Sequence, residues 1–191
     1  PPVRYLMMAA PFTAGIGFYA FYAMQPYLLE LYGDPNAYSI AGLAAAIVAS
    51  AQIAGGLSVS LVRKLFNKRT NILIIGIVVS SLSLLFIGLT NIFWLAVVLL
   101  AIWGLVFAAT GPVRQAYING EIPSKQRATV LSFDSLMGSS GGIFTQPALG
   151  KVADVYSYSA SYILSSAVFI LALPFVYRAK RLEVKSDQIK N

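Results

Sequence analysis

Between residues 71 and 89 the chain is rich in Ile, Leu and Val, interspersed with serines, and carries no charge. A run of about twenty such residues spans the hydrocarbon core of a bilayer as a helix. Similar apolar runs recur at about 5–31, 39–62, 92–113, 128–149 and 162–177. In lipid no water takes up free N–H and C=O groups, so spans of this length must be helices. The expected fold is therefore an all-α integral membrane protein with six transmembrane helices in one domain over residues 1–177. Composition agrees. Only 11% of residues are charged and 58% are hydrophobic, against about 25% charged in a soluble domain.

The basic residues lie between the spans and in the last fourteen or so residues, which leaves a net charge of +7. They form no single patch, so nucleic acid is not an expected partner. If both ends lie on one side of the membrane, that side holds every Lys and Arg of the 14 except Lys151. The positive-inside rule then places both termini in the cytoplasm, and the cell membrane is the expected location. An odd number of spans would scatter the charges over both faces. Segment 178–191 reads as a basic cytoplasmic tail with little reason to fold. The chain begins at Pro1 without Met and shows no cleavable signal pattern, which reads as a piece of a longer protein or a processed form. It has no Cys and no His. Neither a metal site nor a cofactor is expected, and an enzyme is not.

The last three spans follow the first three at an offset of roughly 90 residues, and an odd number of spans per copy inverts the second copy. The connections carry further pattern. The second span closes on Gly56-Leu-Ser-Val-Ser60, followed by Arg63-Lys64 and Lys68-Arg69. After the fourth comes Glu121-Ile-Pro-Ser-Lys-Gln-Arg-Ala-Thr-Val-Leu-Ser-Phe133, and the fifth ends in Gly150-Lys-Val-Ala-Asp154. The first of these resembles the signature loop of the major facilitator superfamily. Gly56 and Lys68-Arg69 match it, while Ser60 stands where Asp is usual and Asn67 where Gly is usual. The other two resemble the family's connection between helices ten and eleven and the end of helix eleven. The resemblance implies helices seven to twelve, one half of a secondary transporter working by alternating access. It also implies a lipid bilayer, a small-molecule substrate, and either a missing N-terminal six-helix half or a second copy of this chain as partners.

The stretch from Gly111 to Asp154 organises the candidate site. Apart from Glu30 at the very end of the first, Asp134 is the only carboxylate inside an expected span, about two turns into its helix. It is either a proton-coupling or gating group, or a structural partner of Arg114 or of the basic loop with Arg63, Lys68 and Arg69. The loop itself is first an orientation signal and then a candidate gate. Gln25, Gln52 and Gln146 lie on the helices that the resemblance places around the central cavity; the plainer role for them is interhelical hydrogen bonding. Trp103 and Tyr22 either line a cavity or pack. Gly138-Ser-Ser-Gly-Gly142 carries the GxxxG spacing that lets helices approach closely. The expected function is secondary transport of a small molecule, in the form of proton-coupled efflux of an amphipathic compound. Sugar or metabolite uptake by the same fold and a six-span scaffold that moves nothing are the alternatives.

Overall fold

The chain ends each long helix where the sequence supplies a turn. In the computed structural model, which describes residues 2–189, helix α1 (Pro2–Tyr32) stops at Gly33, whose φ of 80° is the left-handed conformation glycine adopts without strain. Helix α2 (Tyr38–Leu57) and the short α3 (Val59–Leu65) are separated by Ser58 alone, whose hydroxyl donates to the Gly55 carbonyl at 2.8 Å. Helix α4 (Arg69–Leu89) gives way to α5 (Phe93–Glu121) over Thr90, whose Oγ1 accepts from the Ile92 amide at 3.1 Å. Helix α6 (Arg127–Val155) is followed by α7 (Tyr158–Phe169), which Ser157 caps by accepting from the Ala160 amide at 3.0 Å. Helix α7 passes through a tight turn at Ile170–Ala172 into α8 (Leu173–Arg181), and Pro174 sits in the first turn of α8, where a missing N–H costs nothing. No strand forms among the described residues.

Several boundaries differ from expectation. Gly111-Pro112 does not end a helix, because α5 continues to Glu121. Proline inside a membrane helix is tolerated where neighbours re-satisfy the freed carbonyl. The connection expected over 151–161 shrinks to Tyr156 and Ser157. Lys151 and Asp154 are charged, yet they extend α6 as ordinary helical residues.

Among the described residues, five helical segments are long and apolar enough to cross a membrane: α1, α2, α4, α5, and α7 with α8 taken together. The sixth expected span is not among them. Helix α6 has 29 residues, roughly 44 Å at 1.5 Å per residue, so length is no obstacle. Its composition is the reason, since Asp134, Gln146 and a series of serines interrupt the apolar run.

The bundle is built on paired helices. Helix α1 packs along α6, α2 on α5, and α4 on both α5 and α7. Two glycines allow the closest approaches: Gly141 of α6 lies directly on the backbone of Pro11, and Gly55 of α2 on the backbone of Leu105. Away from the basic residues, tyrosines tie the helices together. Tyr27 donates to the Ile87 carbonyl at 2.8 Å, Tyr162 to the Ala20 carbonyl at 2.9 Å, and Tyr19 to Ser161 Oγ at 2.6 Å.

The C-terminal segment is a correction to the sequence reading. Expected to be unfolded, it docks instead, and α8 itself runs to Arg181. The Asp187 carboxylate, 1% exposed, accepts from the amide and hydroxyl of Thr70. Glu183 pairs with Lys68, and the Ile189 amide donates to the Asn67 carbonyl. The first turn of a helix has free N–H groups, and a polar tail lying beside it finds partners there. Residues 190 and 191 of the expected tail lie outside the described residues.

Candidate transport cavity

Four helices enclose a cavity of about 340 Å³, in the range of small-molecule sites. The lining residues follow helical periodicity on each element. Helix α1 contributes Leu6, Ala10, Thr13 and Phe18, and α4 contributes Leu73, Gly76, Ile77 and Ser80. Helix α5 contributes Phe107, Thr110, Gly111 and Arg114, while α6 contributes Asp134, Ser135, Gly138 and Ser139. Phe169 and Val176, from α7 and α8, close the back. The wall is thus apolar and aromatic, with a hydroxyl from each of the four principal helices.

One ion pair lies at the end of this cavity. Arg114 and Asp134 meet in a bidentate contact, at 2.7 Å from one guanidinium nitrogen and 2.6 Å from the other. The same guanidinium donates to the Leu6 carbonyl at 3.1 Å. One side chain of α5 therefore bridges α6 and α1. The side chains of Arg114 and Asp134 are only 23% and 10% exposed, so the pair is held away from bulk solvent. Planar bidentate geometry of this kind is the strong form of the interaction.

The sequence candidates divide into three groups. Arg114 and Asp134 share the cavity. Tyr22 and Gln146 both line a neighbouring open groove with Phe18, Ser139, Ile143 and Pro147. Phe18 and Ser139 line both spaces, so the groove and the cavity adjoin. The remaining candidates lie elsewhere. Gln25 is exposed on α1 and lines neither space. Gln52 lies against Gly104 of α5. Trp103 is 1% exposed and stacks on Phe107 at 5.4 Å, one ring behind the cavity wall. The basic loop takes other partners than Asp134: Lys68 pairs with Glu183 at 3.1 Å, Arg69 donates to the Ser186 and Gln188 carbonyls, and Arg63 is exposed on α3.

The sequence reading missed Thr13, Ser80, Thr110, Ser135 and Ser139. A signal for part of the set was present. Stepping back from Arg114 by three, four and seven residues reaches Gly111, Thr110 and Phe107, all on the face that Arg114 marks.

A helical bundle with membrane-length apolar segments and a partly polar cavity holding one buried ion pair defines a polytopic membrane protein with a solute-sized site. The family model of the Major Facilitator Superfamily matches residues 7–190, and the chain belongs to that family. It is accordingly an integral membrane protein of a transporter family, with lipid around it and a small molecule as substrate. No individual curated protein matches the chain closely enough to narrow this further.

Proposed function

We propose that the chain is the C-terminal six-helix half of a secondary transporter that moves an amphipathic compound by alternating access, with Asp134 as the proton-carrying group. The observation that carries this reading is the Arg114–Asp134 pair inside a cavity whose other lining residues are uncharged. A proton taken up by Asp134 removes one charge of the pair and weakens the bridge across α1, α5 and α6. The cavity then changes shape and charge together, which is what coupling requires. The apolar and aromatic wall suits an amphipathic compound better than a sugar, because Gln25 and Gln52 stand outside it.

Helix α6 acts as the remaining span in this reading, its polar residues turned to the cavity and groove. The helices then fall into two inverted triplets, α1, α2, α4 and α5, α6, α7 with α8. Exchanging the triplets carries the pairing of α1 on α6 onto that of α5 on α2, and these are two of the most extensive contacts in the bundle. Both termini face the cytoplasm of the cell membrane, since the contacts of Arg114 with Leu6 and of Ser186 with Glu121 bring the basic ends of the helices together. A second six-helix unit, the N-terminal half or another copy, completes the pathway. The scaffold alternative needs the polar residues of α6 to face other helices with no cavity between, whereas Ser135 and Ser139 border open space.

The test is flux of fluorescent amphipathic dyes in liposomes holding the assembled protein, with and without a pH gradient. Gradient-driven dye movement that becomes gradient-insensitive in Asp134→Asn is the expected result. Movement of sugars and not dyes would favour uptake, and gradient coupling retained in Asp134→Asn would remove Asp134 from the proton path.

A further inference from the structure

We propose that the segment 183–189 is a strap that sets how far α4 and α5 stand apart at the basic end of the cavity, so that its release widens the entry. The inference concerns access to the cavity and holds whatever the substrate is.

The strap grips α4 through its first turn. Lys68, at the N-cap position, offers no side-chain cap of its own. Asp187 supplies one from 117 residues away, accepting from the Thr70 amide at 2.7 Å and from Thr70 Oγ1 at 2.8 Å. Arg69 donates to the carbonyls on either side of Asp187, those of Ser186 and Gln188. On the other flank the strap touches the last turn of α5. The Ser186 amide donates to the Glu121 carboxylate at 3.4 Å, and Gly120 lies so close that a Cβ there would stand 2.8 Å from Ser186 Cβ.

The two gripped helices form one wall of the cavity. Leu73 lies about one turn beyond Thr70, and Gly76 packs directly on Thr110, both of them lining residues. A change in spacing at the strapped ends therefore acts on the wall within two turns.

The strap is built to release. Its ion pair, Lys68 with Glu183, is exposed, and pairs of that kind contribute little. Its bond to α5 is long. Two buried atoms along the seam, Arg69 Nε and Ser186 Oγ, have no hydrogen-bond partner among the described residues. Asp187 is the one fully buried side chain of the strap among the described residues, so removing its carboxylate should loosen the segment's grip on α4, with the Arg69 bonds and the Ile189–Asn67 backbone bond left to hold it.

The chain has no Cys, which makes thiol labelling a clean readout. Ser80→Cys places a thiol on the cavity wall at a site 2% exposed. Its reaction with a water-soluble maleimide should run at least tenfold faster when Asp187→Ala is added, and should stay slow with Asp187→Glu. Ser165→Cys, at a site 0% exposed and outside the cavity, should not change. Should Asp187→Ala fail to give folded protein, Thr70→Val removes the hydroxyl half of the same attachment, leaving the amide bond, and is expected to act in the same direction with a smaller acceleration. An unchanged rate at Ser80→Cys would overturn the proposal. So would equal acceleration at Ser165→Cys, which would mean general loosening.

Discussion

Replacing Asp134 with Ala will destabilise the folded bundle by about 3 kcal/mol or more. The loss comes from leaving Arg114 charged and unpaired in an apolar cavity, where a lone ion is far more costly than a pair. The Leu6 carbonyl, at 3.1 Å, is a neutral acceptor and does not replace the carboxylate. Arg114→Ala should cost a comparable amount by orphaning Asp134. The double variant Arg114→Met with Asp134→Leu removes both charges at similar volume, and should recover to within about 1 kcal/mol of the parent, since a buried pair roughly breaks even against apolar residues. Unfolding in mixed detergent micelles measures all three. All three should also lose coupled flux, because the double variant restores packing and not chemistry. A loss under about 1 kcal/mol for Asp134→Ala would mean that water reaches the pair and that it behaves as a surface salt bridge.

Gly141→Val is expected to be the most damaging packing change in the chain, at about 3 kcal/mol, the upper end of the usual overpacking range. A Cβ at this position meets the backbone of Pro11, and a backbone cannot turn aside as a side chain can. Gly15 faces Gly141 from the other helix, with its own Cβ position 2.6 Å from the Gly141 carbonyl carbon, so both sides of the contact are already minimal. The α1–α6 pair must separate, and the cavity between them changes with it. Gly138→Ala is the control. Its Cβ would rest 3.5 Å from that of Ala14, ordinary contact, and the change should be close to neutral. Equal losses in the two variants would show that the helices are not held at the distance described here.

What was legible in the sequence was what the membrane dictates. Apolar runs of bilayer length and basic connections follow from solvation and need no tertiary knowledge. Asp134 stood out because a carboxylate in such a run is rare, and Arg114 because it is the cation that directly follows the apolar span before it. The glutamines were less legible, because chemistry alone does not give a residue's facing. On α1 the buried residues Ile16, Tyr19, Ala20, Ala23, Met24, Tyr27 and Leu28 mark one face, and Gln25 falls off it. The hydroxyls of the cavity were passed over because Ser and Thr are common in membrane helices and carry no signal until several converge. The GxxxG spacing signalled a close helix approach without naming the partner helix, and Gly141, between the two spaced glycines, makes the tightest approach of α6 to α1, at the Pro11 backbone. The docked tail was not legible at all. Asp187 and Thr70 lie 117 residues apart, and nothing in a short polar segment tells which helix end it will meet.

In the proposed mechanism the cavity and groove belong to one path that opens to each side of the membrane in turn. Ser139 borders both spaces, and Ser139→Cys in the otherwise Cys-free chain reports on them directly. The measurement is labelling of this thiol in sealed vesicles by an impermeant maleimide applied first outside and then, in inverted vesicles, from the other face. Reaction from both faces is expected, with a pH gradient shifting the balance between them. Reaction from one face only under every condition, or from neither, would contradict the mechanism.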